Sequence, residues 1–159
     1  MSEEQKATIL IVDDEEMVTT ALRSFLQLAT SYRILTYTTP REALQAVDDE
    51  FIDVVIADFL MPEMDGIAFL KAVRERRPEA TRILLTGYAD KENAIRAINE
   101  AGLYYYLEKP WDNDHLQVVI RNGVERAALF REIEIKAGEL ESAHDDLAGL
   151  RKRLIQAFV

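Results

Sequence analysis

The sequence predicts an α/β domain built on a five-stranded parallel sheet and continued by one long C-terminal helix. Two observations carry the sheet. Short apolar runs alternate with amphipathic stretches five times between Thr8 and about Asp112. The runs are also rich in β-branched or aromatic residues, as strands buried on both faces are. Strand and helix alternating in this way imply a parallel sheet covered on both sides. A third observation carries the helix: from about Val124 to Val159 there is no proline and most residues are helix formers.

The runs are Thr8 to Val12, Arg33 to Tyr37, Asp53 to Ala57, Arg82 to Thr86 and Leu103 to Leu107. Helices are expected over Glu15 to Leu28, Pro40 to Val47, Gly66 to Arg76 and Lys91 to Ala101, with a fifth beginning near Asp112. Pro40 suits a first helical turn, and Gly102 suits the stop after Ala101. Beyond this point Leu129, Ile133, Lys136, Leu140, Ala143, Leu147, Leu150, Leu154 and Ala157 recur in alternating steps of four and three, a heptad seam with one polar member. The five-helix domain is complete without it, so the seam is expected to pair with a second copy rather than fold back. Gly138 and Gly149 each weaken that helix by about 1 kcal/mol relative to alanine. Residues 1–126 are read as the globular domain, and 127–159 as a coiled-coil helix linking it to a further domain.

At 159 residues the chain has the length for one domain and an appendage. Its net charge of -10 argues against direct binding to nucleic-acid phosphates or an anionic membrane. Without cysteine there is no disulfide framework, thiol nucleophile or cysteine-based zinc site. No stretch has transmembrane length and no signal peptide is evident, so a cytoplasmic location is expected.

In an open parallel sheet, ligands sit outside the carboxyl ends of the strands. Asp13, Asp14 and Glu15 follow the first run, Asp58 the third, Thr86 ends the fourth, and Lys109 follows the fifth. Carboxylates gathered at one edge repel each other unless a cation lies among them, and hard oxygen donors favour Mg2+. Asp58 stands apart from the Asp13–Asp14 pair and is the candidate nucleophile for an acyl phosphate. Lys109 could neutralise one phosphoryl oxygen and the Thr86 hydroxyl could donate to another. Singly, each has a plainer role as helix cap, turn, loop charge or strand residue. Their convergence on one sheet edge is what points to chemistry.

Ile9-Leu10-Ile11-Val12-Asp13-Asp14-Glu15 resembles the opening of receiver domains of two-component response regulators. Asp58 through Gly66 resembles their phosphoacceptor loop, and Leu84-Leu85-Thr86-Gly87 and Tyr106-Leu107-Glu108-Lys109-Pro110 resemble their last two motifs. The resemblance covers roughly Thr8 to Arg126. It implies a flavodoxin-like doubly wound sheet in the order 2-1-3-4-5, an order for which a chemotaxis receiver is a standard example. It further implies Mg2+ on Asp14 and Asp58, with Asp13 assisting and the Leu60 carbonyl completing the protein ligands. Asp58 would accept a phosphoryl group from a sensor histidine kinase or phosphotransfer protein. Thr86 and Tyr106 would then switch, the fourth helix, fifth strand and fifth helix forming the output face. Such a domain is a signalling switch rather than an enzyme.

Leu60 and Tyr88 depart from the commonest pattern by placing apolar bulk beside the phosphoryl group, which predicts a long-lived phosphoaspartate. Strand alternation places Tyr104 and Tyr106 on one face. Lys71, Arg74, Arg76, Arg77 and Arg82 are expected to form a solvated basic face, Trp111 to anchor the fifth helix, and His115 to lie on its surface. His144-Asp145-Asp146-Leu147 faintly resembles the phosphorylated helix of sensor kinases, but the downstream proline pattern is missing. A haloacid-dehalogenase-like phosphatase would need Asp-x-Asp after the first strand, which Asp13-Asp14-Glu15 does not supply. A purely structural dimerisation module would leave the complete acid, Thr and Lys set unexplained.

Overall fold

Five parallel strands lie in the order β2-β1-β3-β4-β5 in the computed structural model, which describes residues 6–87 and 91–157. They are β1 (Thr8–Val12), β2 (Arg33–Tyr37), β3 (Val54–Asp58), β4 (Thr81–Thr86) and β5 (Tyr105–Glu108). Between them run α1 (Glu16–Ala29), α2 (Pro40–Asp49), α3 (Gly66–Arg76) and α4 (Lys91–Ala101), and α5 (Asn113–Ala157) follows. This is the flavodoxin-like order. The chain divides after Ala127 into two compact units, with α5 contributing to both.

Strand alternation sorts the apolar runs onto two cores. Leu10, Val12, Val55, Ala57 and Leu84 face Val47, Phe69, Leu70 and Ala97 of α2, α3 and α4. Ile9, Ile11, Ile56, Ile83 and Leu85 face Leu22 and Leu26 of α1 and Leu116 and Ile120 of α5. β1, β3 and β4 are buried throughout, which is why their sequences are apolar without a polar alternation. Thr39 caps α2, its hydroxyl accepting from the Glu42 N–H, and Pro40 occupies the first turn. Gly102 ends α4 at φ 61°, the left-handed conformation that glycine adopts without a Cβ penalty.

Two sequence expectations are corrected. Tyr104 and Tyr106 do not share a face: Tyr106 packs against the α2–α4 core and Tyr104 against the α1–α5 core. β5 begins only at Tyr105, so Tyr104 lies outside the alternation, and the Arg126 guanidinium stacks 5.2 Å from its ring centroid.

The basic cluster is a solvated face only in part: Lys71, Arg74 and Arg76 are exposed, but Arg77 is half-buried and Arg82 departs from the expectation altogether. Arg82 is buried, and its guanidinium donates to the carbonyl oxygens of Ala101 (2.7 Å), Ala80 (2.9 Å) and Pro78 (3.2 Å). Arg77 donates to Val47 O and Asp48 O at 2.9 and 3.2 Å, and Arg74 to Glu100 O at 3.5 Å. Guanidiniums thus meet the last carbonyls of α2 and α4, groups that have no partner inside their helix and carry the negative end of its dipole. Trp111 packs against the α1–α5 core and donates to Asn113 Oδ1. His115 is exposed, 3.1 Å from the Tyr105 hydroxyl.

Candidate functional site

The parallel register brings the carboxyl ends of β1, β3, β4 and β5 level. Val12 lies opposite Ala57, Asp58 opposite Leu85, and Thr86 opposite Glu108. Backbone hydrogen bonds carry the pairing past the strand ends: Asp13 N–H donates to Tyr37 O, Phe59 N–H to Leu85 O, and Lys109 N–H to Thr86 O. The first residues beyond β1 and β5 are therefore held as firmly as the strands are.

Asp13, Asp14 and Asp58 each bring a carboxylate oxygen within 4.8 Å of the others, with Asp13 and Asp58 buried and Asp14 exposed. Asp13 Oδ1 accepts the Glu15 N–H at 2.9 Å, so this acid also shapes the entry into α1. Its Oδ2 accepts from Lys109 Nζ at 2.8 Å, and the same ammonium lies 3.1 Å from Asp58 Oδ1. Thr86 is buried at the end of β4, and Tyr106 is half-buried on β5, paired with Leu84. The region after β3 depends on Gly66, whose N–H donates to Phe59 O at 2.8 Å and where any Cβ would collide with the Asp58 carbonyl. Asp65 then caps α3 through the Ala68 N–H, and Leu60 stands exposed between Asp58 and that cap. Tyr88 lies outside the described residues.

The electrostatics follow from this crowding. Burial, and after it the Asp13 charge, push the Asp58 carboxyl from its ordinary 3.8 up to about 6, with Lys109 offsetting only part. Burial alone would lower the Lys109 ammonium, but the hydrogen bond and charge of Asp13, with Asp58, outweigh it and raise it. Three carboxylates sharing an ammonium that touches two of them form a site of net negative charge. Its donors are all hard oxygens, which suit a small divalent cation. Sequence reasoning placed all these residues at the sheet edge, but not the Lys109 bridge between Asp13 and Asp58, which depends on two strands separated by 96 positions.

The family model of the response regulator receiver domain matches residues 9–121. The hydrogenase transcriptional regulatory protein HoxA of Cupriavidus necator is 43% identical over 129 residues, 81% of this chain and 26% of that protein. The chain thus spans about a quarter of the length of the curated relatives it matches. Among solved structures, the signal receiver domain of an HD domain-containing protein from Pseudomonas fluorescens is 34% identical with a TM-score of 0.75, covering 78% of this chain and 98% of that one. The beryllofluoride-activated NtrC4 receiver domain dimer is 32% identical with a TM-score of 0.70, covering 76% and 98%. An acid cluster at the carboxyl edge of a 2-1-3-4-5 sheet, matched in sequence and in fold, makes this chain a member of the response-regulator receiver family of two-component signalling.

Proposed function

We propose that this chain is a phosphorylation switch in which Asp58 is the phosphoacceptor. The observation that carries the reading is the cluster of buried Asp13 and Asp58 with exposed Asp14, and Lys109 seated on the two buried members. An Asp58 carboxylate oxygen attacks phosphorus and forms the new P–O bond. The P–N bond to a histidine of the donor kinase or phosphotransfer protein breaks, and its electron pair leaves with the imidazole. Asp13, Asp14, Asp58 and the Leu60 carbonyl would hold Mg2+, which would supply positive charge to offset that of the phosphoryl group. Lys109 moves its charge onto a phosphoryl oxygen, and the Thr86 hydroxyl donates to another. Thr86 and Tyr106 then shift together, altering the face formed by α4, β5 and α5. The apolar Leu60, two residues after Asp58 in the chain, supports slow access of water and a phosphoaspartate that outlasts seconds.

Residues 1–126 serve as the receiver, and 127–159 as a helix that pairs two copies and leads to an output region. Similarity to a transcriptional regulatory protein supports an output at the level of gene expression, with DNA contact made outside these residues. Incubation with Mg2+ and acetyl phosphate, followed by intact mass, should give one phosphoryl adduct, absent in Asp58→Asn. Beryllofluoride should change the spectrum of wild type and not of the variant. A folded, Mg2+-binding wild type that gives neither response would overturn the reading.

A further inference from the structure

We infer that residues 129–153 of α5 pair with a second copy of this chain in parallel and in register, with Glu139 opposite His144 and Asp146 opposite Arg151 of the other copy. This rests on the dimer reading above and adds the orientation and the residues that select it.

From Glu132 to Arg153 every residue of α5 is exposed, including Ile133 at 66%, Leu140 at 72% and Leu147 at 65%. The four-and-three spacing makes Ile133, Leu140 and Leu147 heptad a positions, and Leu129, Lys136, Ala143 and Leu150 d positions. Gly138 and Gly149 fall at f and c, away from the seam, and an added Cβ would touch nothing within 4 Å at either. Lys136 is the polar member at d. Its ammonium lies 3.5 Å from Glu132 one turn back, so its charge is drawn toward the g side and only its stem need lie along the seam. One polar layer lowers coil stability and fixes register.

The charges flanking the seam choose the direction. Glu132, Glu139, Asp146 and Arg153 are at g; Ala137, His144 and Arg151 are at e. In a parallel pair, g of one helix faces e of the next heptad in the other. Glu139 then meets His144 and Asp146 meets Arg151, each twice by symmetry, against one unfavourable Lys136 layer. In antiparallel pairs g faces g and e faces e. The stagger that sets Leu140 against Leu150 brings Asp146 onto its own copy and His144 onto its own copy, leaving Glu139 with Arg153. The stagger that sets Ile133 against Leu150 brings Glu139 onto Asp146 and offsets the gain from Glu132 with Arg153. The parallel register alone satisfies both central acids. Chain connectivity then brings residue 127 of both copies to the same end of the coil.

The chain contains no cysteine, so single cysteines report the orientation cleanly. Light scattering on the wild-type chain first establishes the dimer. Ile133→Cys and Leu150→Cys are then oxidised separately under mild conditions. In the parallel register each forms a disulfide-linked homodimer. In the staggered antiparallel pairs position 133 lies at least about 25 Å from its copy, beyond disulfide reach. Arg151→Glu should weaken the dimer by about three- to tenfold, and adding Asp146→Lys to the same chain should restore it. A dimer in which neither cysteine chain cross-links, or in which Arg151→Glu has no effect, overturns the orientation alone. A monomeric wild type overturns the dimer reading and this inference with it.

Discussion

The two edges of the β-sheet treat buried charge in opposite ways. Where the strands begin, Asp53 is buried and accepts the Thr8 N–H at 2.8 Å, and the Thr81 hydroxyl donates to Gly123 O at 2.7 Å. Arg82 is buried there too, with its donors spent on main-chain carbonyls of the α3–β4 connection and the end of α4. Burial, then the charges of Arg126 and Arg74, lower Arg82 to about 10, which leaves it cationic at neutral pH. Where the strands end, Asp13 and Asp58 are buried beside a third acid. A buried charge surrounded by carbonyl dipoles of opposite sense ties elements together. A buried charge facing its own sign strains the fold and holds a standing affinity for cations and for groups that neutralise it.

Removing the charge at each edge should therefore have opposite effects on stability. Arg82→Met keeps much of the side-chain volume but strips donors from Ala101, Ala80 and Pro78. The expected loss is about 2–4 kcal/mol in urea unfolding at neutral pH. A loss under about 1 kcal/mol would mean that water replaces the guanidinium and that this edge is no more locked than a surface loop.

Asp58→Asn should stabilise the chain when metal is chelated, by about 1–3 kcal/mol at neutral pH. The sign follows from an acid whose value rises from 3.8 to about 6 on folding. Such a group favours the fold while protonated, below its unfolded value, and that contribution is lost as pH climbs through its folded value. Asparagine stays neutral, so its advantage should be absent in acid, emerge across this window and level off above it. Urea curves over a pH series in chelator test this. A flat difference would show that the introduced amide acts by packing and not by relieving charge. Mg2+ should narrow the gap by raising the melting temperature of wild type more than that of the variant.

The contrast also marks what a sequence can and cannot disclose. The carboxyl edge was legible because topology alone sends the residue after each parallel strand there, so Asp13, Asp14, Asp58, Thr86 and Lys109 could be gathered without knowing any distance. The strands were legible because burial on both faces leaves uninterrupted apolar runs in β1, β3 and β4. The amino edge was not. Arg82 belongs to a charged residue type that normally marks solvent, and its partner Ala101 O lies 19 positions away on the next helix. Backbone carbonyls carry no signature in a sequence, so a guanidinium that ends on them looks like any other surface cation. Tyr104 was misplaced because the strand starts at Tyr105, two residues after the start of the expected run at Leu103, and alternation constrains only residues inside the ladder.

The finest test of the comparison substitutes glycine by alanine at two positions. Gly102 has φ 61°, and an added Cβ would stand 3.0 Å from Arg82 Nη2. Alanine there must accept left-handed backbone and also press on the guanidinium that holds the end of α4, so Gly102→Ala should lose about 1–2 kcal/mol. Gly138 lies in mid-α5 with nothing within 4 Å of an added Cβ, so Gly138→Ala should gain up to about 1 kcal/mol of helix stability. Urea unfolding reads the first and far-ultraviolet circular dichroism at rising temperature reads the second. Because Arg82 is what Gly102→Ala disturbs, the two losses should not add: in an Arg82→Met background the Gly102→Ala cost should shrink toward that of the backbone alone. Full additivity in that double variant would show that Gly102 serves only its own turn and that the Arg82 cap is indifferent to it.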